Sequence, residues 1–269
     1  MQASPDTLGE FLRARREQLT PEAAGLPGGD RRRVPGLRRE EVAMLAGVSV
    51  EYYLRLEQGR DLHPSDQILD GIAAALQLDD DARAYLHRLA HPAPRPGRRG
   101  RPRPSESGLR QLIDSWPATP AYAQGPAGRV VAANRLAVAL SPFFAVGGNP
   151  LRAAFLEPAM RELYPDWEDM TAKAVSSLRA MLSLDAAEPA LLETIGELSV
   201  ASDRFRTLWA RRDVRAKTSG LTRFDHPVAG RLELSYEKLI QPESRQLLVV
   251  YHAAPGSPSA ERLQLLASL

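Results

Sequence analysis

The segment HPAPRPGRRGRPRPS at 91–105 sets the first limit on what this chain can fold into. Its repeated prolines remove backbone donors and hold the chain extended, and its interleaved arginines repel one another. Neither a helix nor a central strand can run through such a stretch. It reads as a linker over 92–106 that separates a front region, 1–91, from a rear region, 107–269, each long enough to bury its own core. No internal repeat is visible.

The front region is patterned as five helices. Thr7 and Glu10 make a T-x-x-E capping box for a helix over 8–18, with Leu8, Phe11 and Leu12 on its apolar face. A Gly/Pro-rich stretch follows, then helices over 38–46 and 50–58. Two more are predicted at 66–77, with Ile68, Leu69, Ile72, Ala73 and Leu76 on one side, and at 80–90. The rear region is mixed. A helix over 107–115 precedes short strands at 121–124 and 129–132, a run of helices fills 134–212, and strands at 221–225, 231–238 and 246–252 lead to a last helix over 260–266. Leu232, Leu234 and Tyr236 alternate with polar neighbours, as a sheet with one buried face requires. Strands first and last with helices between make an α+β domain with an antiparallel sheet.

Composition removes several classes of function. The chain has no cysteine, which excludes disulfides, thiolate catalysis and cysteine-ligated metal centres. No apolar run reaches the length of a membrane helix, and the start, MQASPDTLGEF, lacks the charged-then-apolar order of a signal peptide. A cytoplasmic protein with no membrane partner is the expectation. The net charge of +2 says little about partners. Lys173, Lys217 and Lys238 are the only lysines, and the Arg, Ala, Pro and Leu bias is of the kind a high-GC genome encodes. Arginine position, not arginine count, has to carry any argument about nucleic acid.

One stretch meets that demand. In RREEVAMLAGVSVEYYLRLEQG, counted from Arg39, Val42 is an apolar anchor and Ala43 is small where two helices must approach. Gly47 falls at the turn, where φ is expected to be positive. Ser49 caps a second helix whose Val48, Tyr53 and Leu56 point inward, leaving Val50, Glu51, Tyr52 and Arg55 outside. Small, glycine and apolar residues thus occupy each position that a helix-turn-helix demands.

Residues 8–90 resemble the Cro/CI-type, or xenobiotic-response-element, helix-turn-helix family, with LRREEVAMLAGVS and YYLRLEQGR the strongest stretches. The resemblance implies that the helix over 50–58 enters the major groove of double-stranded operator DNA. Val50 and Glu51 would face the bases near its start and Arg55 one turn later, where valine meets a thymine methyl, glutamate accepts from cytosine and arginine bonds guanine, with Tyr52 a further DNA-binding candidate. Ser49, Arg39 and Arg60 are placed for phosphates. Arg31, Arg32 and Arg33 read as a phosphate or minor-groove arm, or as a solvated loop. Acids outnumber arginines over 1–91, so any DNA-binding charge has to be focused on one face.

Residues 109–269 resemble the carboxy-terminal, PAS-like ligand-binding domain of MmyB-type regulators. The carrying stretches are PAYAQGPAGRVVAANRLA, FLEPAMRELYPDWE, IGELSVASDRFRTLWARRDV, FDHPVAGRLELSYE and LLVVYHAAPGSPSAERLQLL. The resemblance implies a regulatory role and a fatty-acid-like ligand. Ala133 stands where that family commonly has tryptophan, and Arg212 where it has histidine. Tyr122, Phe144, Phe155, Tyr164, Trp167, Trp209 and Tyr236 are candidates to line a pocket, each with ordinary core packing as the other reading. Phe143, Phe224 and Tyr251 are further aromatics available to it. Asn134, Arg211 and His226 are the polar candidates, although Asn134 also reads as a helix cap and Arg211 as a partner for Asp213 or Asp203.

Catalysis is not expected. No glycine-rich phosphate loop, G-x-S-x-G or H-E-x-x-H occurs. His87 and His91 have the spacing of a metal pair, but no third ligand accompanies them and Pro92 follows. No cofactor is expected beyond a bound apolar molecule. The leading expectation is a homodimeric DNA-binding regulator that responds to a small effector. A rear domain that binds another protein instead is the alternative.

Overall fold

The computed structural model describes residues 7–27, 35–61, 63–91, 106–125, 128–182, 189–215, 217–241 and 244–268. Arg31, Arg32 and Arg33 and the linker over 92–105 lie outside the described residues. The chain divides into two compact units. The first comprises 1–96 with 175–186 and 206–216, and the second comprises 97–174 with 187–205 and 217–269.

The first unit is built on α1 (Leu8–Gln18), α2 (Arg39–Ala46), α3 (Val50–Glu57), α4 (Asp66–Ala75) and α5 (Asp80–Ala90). The capping box at α1 is formed, with the Thr7 N–H donating to Glu10 Oε2 at 3.1 Å and the Glu10 N–H to Thr7 Oγ1 at 3.3 Å. Helix α4 stops short of the expected 77. Gln77 takes a left-handed φ of 50°, and its N–H closes on Ala74 O. Phe11, Leu12, Val42, Tyr53, Leu56 and Ile72 are fully buried in one core, which Ala180 and Val214 complete from the later segments. Helices α1 and α3 meet closely, because Gly9 lies so near Glu57 that a β-carbon there would be 2.3 Å from its carbonyl oxygen.

The second unit is α+β. It starts with α6 (Glu106–Asp114), β1 (Ala121–Gln124), β2 (Val130–Ala133), α7 (Arg135–Leu140) and a 3₁₀ turn at Pro142–Phe144. Next come α8 (Pro150–Leu156), α9 (Pro158–Leu163), α10 (Trp167–Leu182), α11 (Pro189–Ala201) and α12 (Asp203–Ala210), of which α10 and α12 supply residues to both units. β3 (Ser219–His226), β4 (Gly230–Ile240), β5 (Leu247–His252) and α13 (Pro258–Ala267) close the chain. The five strands form one antiparallel sheet in the order β2-β1-β5-β4-β3.

Strands β3 and β4 outrun their expected lengths, because the ladder continues from His226–Gly230 to Ser219–Glu237, past the residues with readable alternation. Gly220 allows this. The Tyr236 ring lies across it, with the hydroxyl 2.9 Å from where a β-carbon would be. One face of β1 and β2 packs on α6 through Ile113, Ala121, Ala123 and Ala132. Alternation then puts Tyr122, Tyr236 and Tyr251 on the opposite, inner face.

Candidate DNA interface and the aromatic inner face of the sheet

Gly47 ends α2 with φ 68° and ψ 29°, a left-handed geometry that a β-carbon would strain. Ser49 then caps α3, its Oγ accepting from the Tyr52 N–H at 3.1 Å. These two residues fix the turn, and the helix they start has two unlike sides. Tyr53 and Leu56 are fully buried, whereas Glu51 and Arg55 are exposed and Val50 keeps 42% of its surface. Tyr52 departs from the expected outward set. It is half-buried with its ring on the core, and the Arg55 guanidinium sits 5.5 Å from the ring centre.

Beneath α3 lies a polar cluster that no local pattern announced. The buried Glu57 carboxylate accepts from Arg16 Nε at 2.8 Å and Arg16 Nη2 at 3.0 Å, and Arg39 Nε reaches the same carboxylate at 2.9 Å. Arg16 Nη1 also donates to Leu37 O at 2.9 Å. Burial pushes the Glu57 carboxyl upward, but the hydrogen bonds and charges of Arg16 and Arg39 outweigh it, so it lies below the ordinary carboxylate range. Three elements are thereby held in register: α1 by Arg16, the start of α2 by Arg39, and the end of α3 by Glu57. Arg39, expected at phosphate, is anchored by this pair yet remains exposed. Arg60 is exposed after the positive-φ Gly59.

The inner face of the sheet is aromatic. Tyr122 stacks on Phe144 at 4.6 Å between centroids, and Tyr164 lies 4.8 Å from Phe224. Tyr251 is the hub, with Phe224 edge-on at 5.4 Å, Phe144 at 6.0 Å, and Tyr122 and Tyr236 each at 6.5 Å. The hydroxyls of Tyr122 and Tyr164 both interact with that of Tyr251. Burial, then the Tyr251 hydroxyl, pushes Tyr122 and Tyr164 well above the ordinary phenol range. Burial pushes Tyr251 up too, to about 12, against the lowering effect of the two hydrogen bonds its oxygen accepts. All three are neutral near pH 7.

Against known families, the model of the MmyB-like transcription regulator ligand binding domain matches residues 106–266, more than half of the chain. The chain belongs to the MmyB-like transcription regulators. A helix-turn-helix domain model matches residues 7–86. No curated protein matches the chain significantly. A DNA-binding helix-turn-helix is thus followed by a ligand-binding domain.

In this MmyB-like regulator the other candidate pocket residues have partners of their own. Asn134 is a cap: its Oδ1 accepts from the Ala137 N–H at 2.9 Å and the Ala121 N–H at 3.2 Å, and its Nδ2 donates to Thr119 O at 2.7 Å. His226 holds the β3–β4 turn, with Nε2 on Ala139 O at 2.9 Å and Nδ1 facing the Ala229 N–H at 3.0 Å. Phe155 packs edge-on against Phe205 at 5.1 Å. Trp167 donates to Ala154 O at 2.7 Å, and the guanidinium groups of Arg161 and Arg204 lie 4.1 Å and 4.8 Å from its ring centre. Trp209, under the Arg179 guanidinium at 4.0 Å, and the exposed Arg211 belong to the first unit. There the Gln18 amide donates to Arg211 O, and Arg15 pairs with Asp213 at 2.7 Å. Arg212, at the departure from the family pattern, pairs with Glu10 at 3.3 Å.

His87 and His91 meet Asp66 and Asp70, tying α5 to α4. Among the described residues no group of three or more potential ligands is placed to hold a metal, and no helix is long and apolar enough to cross a membrane. Glu57, Arg16 and the hub position of Tyr251 were not singled out from the sequence. Their partners lie beyond the reach of a local pattern, Arg16 and Glu57 being 41 residues apart.

Proposed function

We propose that this regulator binds a short operator as a homodimer through α3, and that its second unit senses an apolar or amphipathic molecule such as a fatty acid. The observation that carries the reading is the division of α3. Its inward residues are fully buried, while Val50, Glu51 and Arg55 stand in solvent on one short, capped helix. That is the display a base-reading helix needs. One such helix reads few base pairs, so two copies on a two-fold operator supply the specificity.

The second unit is a regulatory domain with a PAS-like arrangement, acting without catalysis, in the cytoplasm. Its inner face offers rings and neutral hydroxyls, a surface suited to a ligand that is mostly apolar. A bound effector alters DNA affinity only if it binds two states of the protein unequally.

The test is selection of genomic fragments by the purified full-length protein at two salt concentrations. A two-fold-symmetric motif with half-sites about one helical turn apart, retained at the higher salt, is the expected result. Sequence-blind binding that fades with salt contradicts it, because only phosphates would then be read.

A further inference from the structure

Lys238 is a half-buried cation with no ion-pair partner among the described residues. On β4 it stands opposite Val249, two residues beyond Tyr236, which stands opposite Tyr251. Residues 232, 234, 236 and 238 therefore share the inner face, on which Leu232 and Leu234 are fully buried. The ammonium of half-buried Lys238 lies 5.4 Å from the centre of the Tyr236 ring. Among the described residues no carboxylate comes within ion-pair distance of it. Lys173, which also acts on Tyr236, is by contrast paired with Asp169. Burial lowers the Lys238 amine, with no neighbouring charge acting against it.

We propose that Lys238 holds the anionic group of the effector, a carboxylate whose apolar chain runs inward along the row Tyr236, Tyr251 and Tyr122. This rests on the reading of the second unit as a sensor of fatty-acid-like molecules and adds where the polar end is held. The half-buried position of Lys238, next to the exposed Leu239 and Ile240, puts the charge near the rim and the tail among the rings. A desolvated ammonium lacking a counter-ion is costly, and an incoming carboxylate relieves that cost while forming a charge-assisted hydrogen bond. A neutral ligand of the same shape gains only the rings.

The experiment titrates tetradecanoic acid and its methyl ester into the full-length protein, comparing wild type with Lys238→Gln and Lys238→Met, and verifies folding by circular dichroism. Wild type should prefer the acid by about tenfold or more, the range of one charge-assisted contact. Both variants should lose that preference while binding the ester as wild type does. An acid preference that survives in the folded variants overturns the assignment of Lys238 and leaves the sensor reading standing. Binding of neither probe to wild type overturns the fatty-acid reading and the Lys238 proposal together.

Discussion

At the centre of the helical unit a carboxylate is held by two guanidinium groups, Arg16 and Arg39 on Glu57. At the centre of the sheet unit, two tyrosine hydroxyls, those of Tyr122 and Tyr164, converge on the oxygen of a third, Tyr251. Both clusters put polar atoms among apolar side chains, yet they differ in kind. An ion pair is directional and leaves a charge behind if one partner goes, so it fixes the relative positions of α1, α2 and α3 for a surface that must match DNA. Neutral phenols on rings exchange partners at lower cost, which suits a face that has to accept a ligand. The contrast assigns rigidity to the reader and adaptability to the sensor.

The largest effect that can break this comparison is at the ion cluster. Glu57→Ala strands Arg16 without its carboxylate, and chemical denaturation of the full chain should register a loss of about 3–5 kcal/mol. A cost below that of any tyrosine substitution would remove the distinction. Glu57 also sets the acid side. Its folded pKa is depressed, so its contribution is present above the unfolded value near 4.5 and lost as pH falls through the folded one. Acid unfolding should accordingly begin at higher pH when Glu57 is replaced by Gln.

A smaller effect is expected at Tyr251→Phe, which keeps the ring and removes the shared acceptor, at about 1–3 kcal/mol by denaturation. Here the sign with pH is opposite. The folded phenol is raised to about 12, so its contribution is complete below the unfolded value of 10.0 and disappears as pH rises towards 12. Tyrosinate absorbance should show Tyr122, Tyr164 and Tyr251 ionising only as the sheet unfolds. Ionisation near pH 10 in the folded protein would mean that the cluster is open to solvent.

What could be read in advance follows from the range of the interactions. The α1 capping box, the Gly47 turn and the Ser49 cap are demands that the backbone makes within three or four residues, and they stand in the sequence as they do in the structure. The Asn134 cap, one of the two readings the sequence offered for that residue, is of the same local kind. Alternation in β4 identified the buried face, but it carries no information on which rings lie across from it. Tyr236 and Tyr251 were both among the aromatics available to a pocket, but only the β4–β5 register sets them opposite each other. Arg16 and Glu57, 41 residues apart, are legible only once α1 and α3 are packed.

The most direct measurement on the account's central claim is the affinity of Arg55→Ala for the operator selected by wild type. Arg55 is exposed on α3 and its guanidinium rests only on the outer side of the half-buried Tyr52 ring, so folding should change little. The account predicts a loss of about 1–3 kcal/mol in binding, with preference relaxed at one base position of each half-site. A footprint and affinity identical to those of wild type would contradict it, and α3 would not be the helix that reads the operator.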